Sequence, residues 1–156
     1  MKTIAEAAVA ALTERGMTVA TCESLTGGLI CAALVDVPGA SKVVRGGLIT
    51  YQTDTKTLLA GVDAGLIAER GVVSGEVAQA MAEGTRARLG VDVAVSATGM
   101  ASPGGADEPP AGTVYVGISS AKGVRDVRLT LTGSRQEIRR QTVETAIRAI
   151  MEEIAG

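Results

Sequence analysis

Histidine, tryptophan, phenylalanine and asparagine are all absent from this 156-residue sequence, and two tyrosines are its only aromatics. Without an imidazole there can be no Ser-His-Asp triad, no Cys-His dyad and no His-ligated zinc or iron site. Acid–base chemistry must run through Lys, Asp, Glu, Tyr or Cys. Two tyrosines supply little base stacking. A formal net charge of −2, from 15 basic and 17 acidic side chains, lacks the basic excess of nucleic-acid binders, so no nucleic-acid partner is expected. No apolar run approaches the ~20 residues that span a bilayer, and residues 1–16 carry acids in place of a signal-peptide pattern, so no membrane association is expected. Cysteine is scarce too. Cys22 and Cys31 cannot form a disulfide scaffold and lack CxxC spacing, so the simplest reading is a reduced, cytoplasmic protein.

What is present is aliphatic: 46% of the residues are hydrophobic, nearly all Ala, Val, Ile and Leu. The length fits one domain over residues 1–156, which buries roughly 70% of the unfolded chain's surface. Ile4, Ala7, Ala8, Ala11 and Leu12 repeat at helical spacing up to Gly16. Met17 to Thr21 reads as a buried strand, Cys22 to Gly28 as a turn, and Leu29 to Val35 as a second helix. Leu48 to Tyr51 reads as a strand preceded by Gly46-Gly47, a bulge or a close approach. Thr53 is placed to cap a helix over Asp54 to Ala60, Asp63 one ended by Gly71, and Ser74 a longer one reaching Leu89. Val91 to Ser96 follows as a strand. Thr113–Ser119 and Arg125–Leu131 alternate around Lys122-Gly123 as a hairpin. Ser134-x-x-Glu137 is a capping box opening a last helix with Ile147, Ile150, Met151 and Ile154 on one face. Strands alternating with helices, plus one hairpin, predict an α/β fold with a mixed, mostly parallel sheet.

Three loops follow predicted strands, where open α/β sheets place their ligands: Cys22–Gly28, Tyr51–Lys56 and Thr98–Gly112. In the first, Ser24 or Thr26 either caps the next helix or presents a hydroxyl beside free backbone N–H groups suited to an oxyanion or phosphate. Lys56 falls at the third position of a helix capped by Thr53, close to the positive end of the macrodipole, which with burial would lower its pKa. The alternative is a solvated surface lysine. With no histidine available, a serine activated by such a lysine is the main nucleophilic arrangement left. The third loop, around Thr98-Gly99, lets backbone approach a ligand closely, but it is neither a Rossmann fingerprint nor a P-loop. Arg135 and Arg139 share one face of the last helix, where they either meet a phosphate or carboxylate or form surface ion pairs. Ser119-x-x-Lys122 lies on the hairpin and is discounted. Both cysteines read as structural. The scattered carboxylates form no metal cluster, and no cofactor is expected.

These pieces also form one collinear pattern. Cys22-Glu23-Ser24-Leu25-Thr26-Gly27-Gly28 resembles the E-S-C-T-G-G signature of the CinA C-terminal domain family. Gly46-Gly47-Leu48-Ile49-Thr50-Tyr51 with Lys56, Thr98-Gly99-Met100-Ala101-Ser102-Pro103-Gly104-Gly105, and Gly133-Ser134-Arg135-Gln136-Glu137-Ile138-Arg139 follow in the family's order. The resemblance implies a three-layer α/β/α sandwich, usually a homo-oligomer, and metal-free hydrolysis of the carboxamide of nicotinamide mononucleotide to nicotinic acid mononucleotide and ammonia. It implies Ser24 as nucleophile, Lys56 as general base and Tyr51 as hydrogen-bonding or proton-relay partner. Thr26, Gly27, Gly28, Thr98, Gly99, Arg135 and Arg139 would bind substrate. A non-catalytic nucleotide-binding or regulatory module, given the family's link to competence and DNA damage, is the alternative. Larger members carry an additional N-terminal domain. Two positions depart from the pattern: Leu25 stands where a Cys is usual, and Ser102 where a Gly is usual.

Overall fold

The computed structural model describes residues 1–156. Five strands, β1 (Val19–Glu23), β2 (Val44–Ile49), β3 (Val93–Gly99), β4 (Thr113–Ser120) and β5 (Gly123–Thr130), form one sheet in the order β2-β1-β3-β4-β5. β1 pairs in parallel with β2 and β3, and β4 runs antiparallel to both β3 and β5. Four strands therefore share one direction and β4 alone opposes them. The six helices are α1 (Ile4–Arg15), α2 (Leu29–Val35), α3 (Thr53–Ala60), α4 (Ala64–Arg70), α5 (Gly75–Leu89) and α6 (Arg135–Ile154), with a single 3-10 turn at Ala40–Lys42. None is long and apolar enough to cross a membrane.

The period-two alternation of the strands sorts the helices into layers. Val19, Val93, Val95, Ala97, Val114, Val116 and Ile118 point to one face, where α1, α2 and α6 complete the main apolar core. Cys22 points to the other, packing with Ala60, Val62, Val77 and Met81 beneath α3 and α5. The result is the three-layer α/β/α sandwich. Local hydrogen bonds fix the helix starts. Asp63 caps α4, Ser74 caps α5, and Ser134 and Glu137 form the reciprocal box on α6.

Three local expectations are corrected. β1 runs on through Cys22 and Glu23, which read as turn, because both pair with β2 and β3 on either side. β2 begins at Val44 and takes in both glycines, and the register slips between Val19 and Ala20. A Cβ on Gly47 would collide with Thr21 Oγ1, so this glycine marks a close approach of the two strands. Thr53 is the first residue of α3 and not its cap. Gln52 holds the cap position without a side-chain bond, which puts Lys56 one place deeper, at the fourth helical position.

α3 rests on α5 at Gly84, where a Cβ would overlap the carbonyl oxygen of Ala60. Replacing an exposed helical Gly by Ala normally stabilises by about 0.5–1 kcal/mol. Here Gly84→Ala is expected to destabilise instead, by about 1–3 kcal/mol in urea denaturation, because the packed backbones must separate.

Candidate active site

The turn after β1 places Ser24 where the carboxyl end of that strand meets the start of α2. Its shape is set by Glu23, a residue almost wholly buried. The Glu23 carboxylate accepts N–H bonds from Gly28 (3.2 Å), Ile30 (2.8 Å) and Cys31 (2.9 Å), plus the Thr21 hydroxyl (3.0 Å). An internal carboxylate thus occupies the anion-seeking end of α2. Gly27 (φ +57°) and Gly28 (φ +106°) make the left-handed turn this requires. Neither offers a free donor, since the Gly27 N–H bonds Ser24 O and the Gly28 N–H bonds Glu23. The N–H groups directly after the serine, on Leu25 and Thr26, have no partner within the protein. Sequence reasoning passed over Glu23. Its signal was an acid closing an apolar strand immediately before a Gly-rich helix entry.

Arg139 stiffens this turn from outside. Its Nε donates to Leu25 O (2.8 Å) and its Nη2 to Thr26 O (3.3 Å). The guanidinium is therefore engaged by backbone carbonyls, whose peptide planes it orients. Thr26 itself is fully buried, with a side-chain oxygen that finds no partner.

Lys56 enters from α3, on the opposite side of the parallel β1–β2 pair. It is only 1% exposed, and its Nζ lies 3.1 Å from Ser24 Oγ, 2.6 Å from Thr50 O and 3.4 Å from Tyr51 O. No carboxylate pairs with it. Burial lowers its pKa from 10.5 to about 8, opposed weakly by the neighbouring Cys22 sulfur. A neutral amine fits this setting well. Its two N–H bonds can go to the two carbonyls, leaving the lone pair toward the serine hydroxyl. Burial pushes the thiols of Cys22 and Cys31 upward, away from the thiolate form.

The structure brings Ser24, Lys56, Thr98, Gly99 and Arg135 to one cavity of about 360 Å³, with Leu25, Met100 and Ala101 adding apolar wall and Glu108 a carboxylate. Tyr51 contributes twice. Its carbonyl faces Lys56 and Ser24, while its half-exposed ring turns away to place the hydroxyl 3.0 Å from Arg135 Nη2. Tyr51 thus meets the Ser24–Lys56 pair as a hydrogen-bonding partner through its carbonyl, with its hydroxyl on Arg135. Thr98 is buried and donates to Val72 O (2.9 Å), tying the α4–α5 connection to β3. At Gly99 a Cβ would stand 2.7 Å from Val114 Cγ2, so a side chain is excluded there. A wider depression of about 800 Å³ between α3 and α4 is mostly apolar and holds neither Ser24 nor Lys56. No three His, Cys, Asp or Glu side chains gather so as to hold a metal ion.

Comparison with known proteins agrees with this geometry's setting. The family model described as the CinA C-terminal domain matches residues 1–154. A CinA-like protein from Frankia casuarinae is 41% identical over 145 residues, covering 93% of this chain and 34% of that protein. A putative competence-damage inducible protein from Halothermothrix orenii is 44% identical over 137 residues, covering 86% and 33%. The chain thus spans about a third of the length of the curated relatives it matches. Among solved structures, the competence/damage inducible protein CihA from Agrobacterium tumefaciens superposes with a TM-score of 0.91 at 36% identity, over 96% of this chain and 92% of that one. A CinA-superfamily protein from Klebsiella pneumoniae gives 0.93 at 30% identity, over 97% and 95%.

The buried lysine predicts a pH-dependent stability. The unfolded chain holds the Lys56 proton up to 10.5, whereas the folded chain releases it near 8. Across that window the unfolded state binds more protons, so raising the pH favours folding. Measured by urea denaturation, wild-type stability relative to Lys56→Met should rise between pH about 8 and 10.5, by on the order of 3 kcal/mol in total. A flat difference would mean that the folded lysine keeps its ordinary pKa.

Proposed function

The chain belongs to the CinA C-terminal domain family, and we propose that it is an amidohydrolase in which a Ser24–Lys56 pair hydrolyses the carboxamide of nicotinamide mononucleotide. The observation that carries this reading is the 3.1 Å approach of a buried, unpaired Lys56 amine to the Ser24 hydroxyl. A lysine there serves no ion pair, and burying it costs stability. Its use is as a base of depressed pKa.

In the first half-reaction neutral Lys56 takes the Ser24 proton as Oγ attacks the amide carbon. The unpartnered N–H of Leu25, which lines the cavity beside Ser24, would receive the oxyanion in place of those of Gly27 and Gly28. The Lys56 ammonium then returns its proton to the amide nitrogen, the C–N bond breaks, and ammonia leaves an ester on Ser24. Water enters and gives a proton to Lys56 as its oxygen attacks the ester; the Lys56 ammonium then protonates the departing Ser24 Oγ, and the released acid ionises to the carboxylate product. Arg139 and Glu23 serve this chemistry by holding the turn, and the Thr50 and Tyr51 carbonyls aim the amine. The substrate's features match the cavity's charges. Glu108 suits the positive pyridinium ring, and Arg135 suits the phosphate. Two free thiols fit a reducing, cytoplasmic setting. A homo-oligomer would cover the exposed Ile49, Leu58 and Leu59 beside edge strand β2.

Ammonia release from nicotinamide mononucleotide tests the reading. Ser24→Ala and Lys56→Ala should each lower it by roughly 10²–10⁴-fold with the fold intact by circular dichroism. Wild-type kcat/KM should rise with pH through about 8, as Lys56 loses its proton, with no limb near ~6.5. Full activity in Ser24→Ala would refute the mechanism. Nucleotide binding without ammonia release would instead assign a non-catalytic binding module.

A further inference from the structure

Cys22 is a buried thiol that the proposed reaction leaves unused. It sits on the face of β1 that carries α3 and α5, two residues before Ser24, with no exposed surface. Its sulfur lies 3.6 Å from Thr50 Oγ1. Thr50 is also the residue whose carbonyl oxygen takes the 2.6 Å bond from Lys56 Nζ. From α5 the Thr85 hydroxyl reaches the same sulfur, and it has no oxygen or nitrogen partner although it is wholly buried. Ala60, one turn beyond Lys56 on α3, packs on the thiol as well. A layer of one thiol and two hydroxyls therefore lies against the buried lysine.

The charged groups around this lysine are otherwise turned away from it. Asp54, on the same helix, is exposed, and Glu23 is spent on the start of α2. Glu108 accepts from Gly105 on its own loop, and Arg135 binds the hydroxyls of Ser102 and Tyr51. Arg139 is bound to the carbonyls of the Ser24 turn, and Arg88, from α5, covers Gly61 at the far end of α3. Cys22 is the one titratable side chain whose charge bears on the amine, and burial keeps its proton on. A neutral thiol donates and accepts only weakly. It fills the space beside Lys56 without offering the ammonium form a partner.

We propose that Cys22, seated between Thr50 and Thr85, is a positioning residue for Lys56, its sulfur closing the floor of the lysine pocket against water and against stronger hydrogen-bonding groups. This deepens the amidohydrolase reading and rests on it, since a dry amine is of use only to a base. A serine hydroxyl at this position would bond the ammonium form and draw it away from Ser24. An alanine would leave a gap bordered by the Thr50 and Thr85 hydroxyls and the amine, three polar partners that suit a trapped water. Either change favours the protonated lysine. A valine fills the gap with no polar atom and suits a strand.

Nuclear magnetic resonance of isotope-labelled lysine reads the titration directly. The chain has four lysines, Lys2, Lys42, Lys56 and Lys122, and Lys56→Met assigns the signal. The midpoint of Lys56, about 8 in the wild type, should rise by roughly 0.5–1 pH unit in Cys22→Ser and Cys22→Ala and stay low in Cys22→Val. At pH about 7, kcat/KM for ammonia release should then fall roughly 3- to 10-fold in the first two variants, with its high-pH plateau kept. A merely structural role would lower the plateau and leave the midpoint in place, which would overturn the proposal. So would a rise in Cys22→Val equal to that in Cys22→Ala. Ammonia release by the wild type is read separately. Its absence would sink the amidohydrolase reading, while the lysine titration alone decides the role of Cys22.

Discussion

The fold around the site hangs on one carboxylate. Glu23 is buried at the end of β1, and it survives there because the first turn of α2 supplies the hydrogen bonds that water would otherwise make. Strand and helix are thereby locked into a single geometry. The intervening residues must turn through two left-handed glycines, and Ser24 has one place to stand. The helix end that commonly attracts a ligand's phosphate is satisfied from within. That internal use of α2 leaves the unpartnered N–H of Leu25 beside the serine at the cavity wall.

Lys56 is the complementary constraint. An amine of pKa about 8 without an acidic partner destabilises the folded chain at neutral pH. The surrounding structure tolerates it because the carbonyls of Thr50 and Tyr51 are fixed by the end of β2, with the Thr50 N–H bonded to Glu23 O. The same strand pair therefore carries the serine, the lysine's acceptors and the carboxylate that shapes the turn. Arg139 and Arg135, four residues apart on α6, divide the remaining work. One arginine orients peptide planes and the other remains open to an anion.

The sequence announced features decided by near neighbours. The caps at Asp63, Ser74 and Ser134, the helix ends at Gly16 and Gly90 and the hairpin at Lys122-Gly123 all depend on contacts within a few residues. Lys56 stood out because histidine was missing and few other bases remained. Its distance from Ser24 was not legible, since 32 residues separate them and only the β1–β2 register brings them together. Glu23 was misread for a related reason. A charged residue looks like a turn until the helix that satisfies it is in place. Thr53 looked like a cap on propensity alone, yet packing started the helix at that residue. The two arginines could be placed on one face by spacing, but their different partners lie on loops far away in the chain.

The parallel pairing of β1 with β2 has a consequence for the life of the chain before it is folded. In an unfolded or nascent polypeptide Ser24 is an ordinary alcohol and Lys56 an ordinary protonated amine, neither of them reactive. Parallel strands close only over long connections and pair slowly. The approach of Lys56 to Ser24 is thus created by completion of the sheet, and a half-made chain holds the two side chains apart. The pair exists only once the architecture is finished.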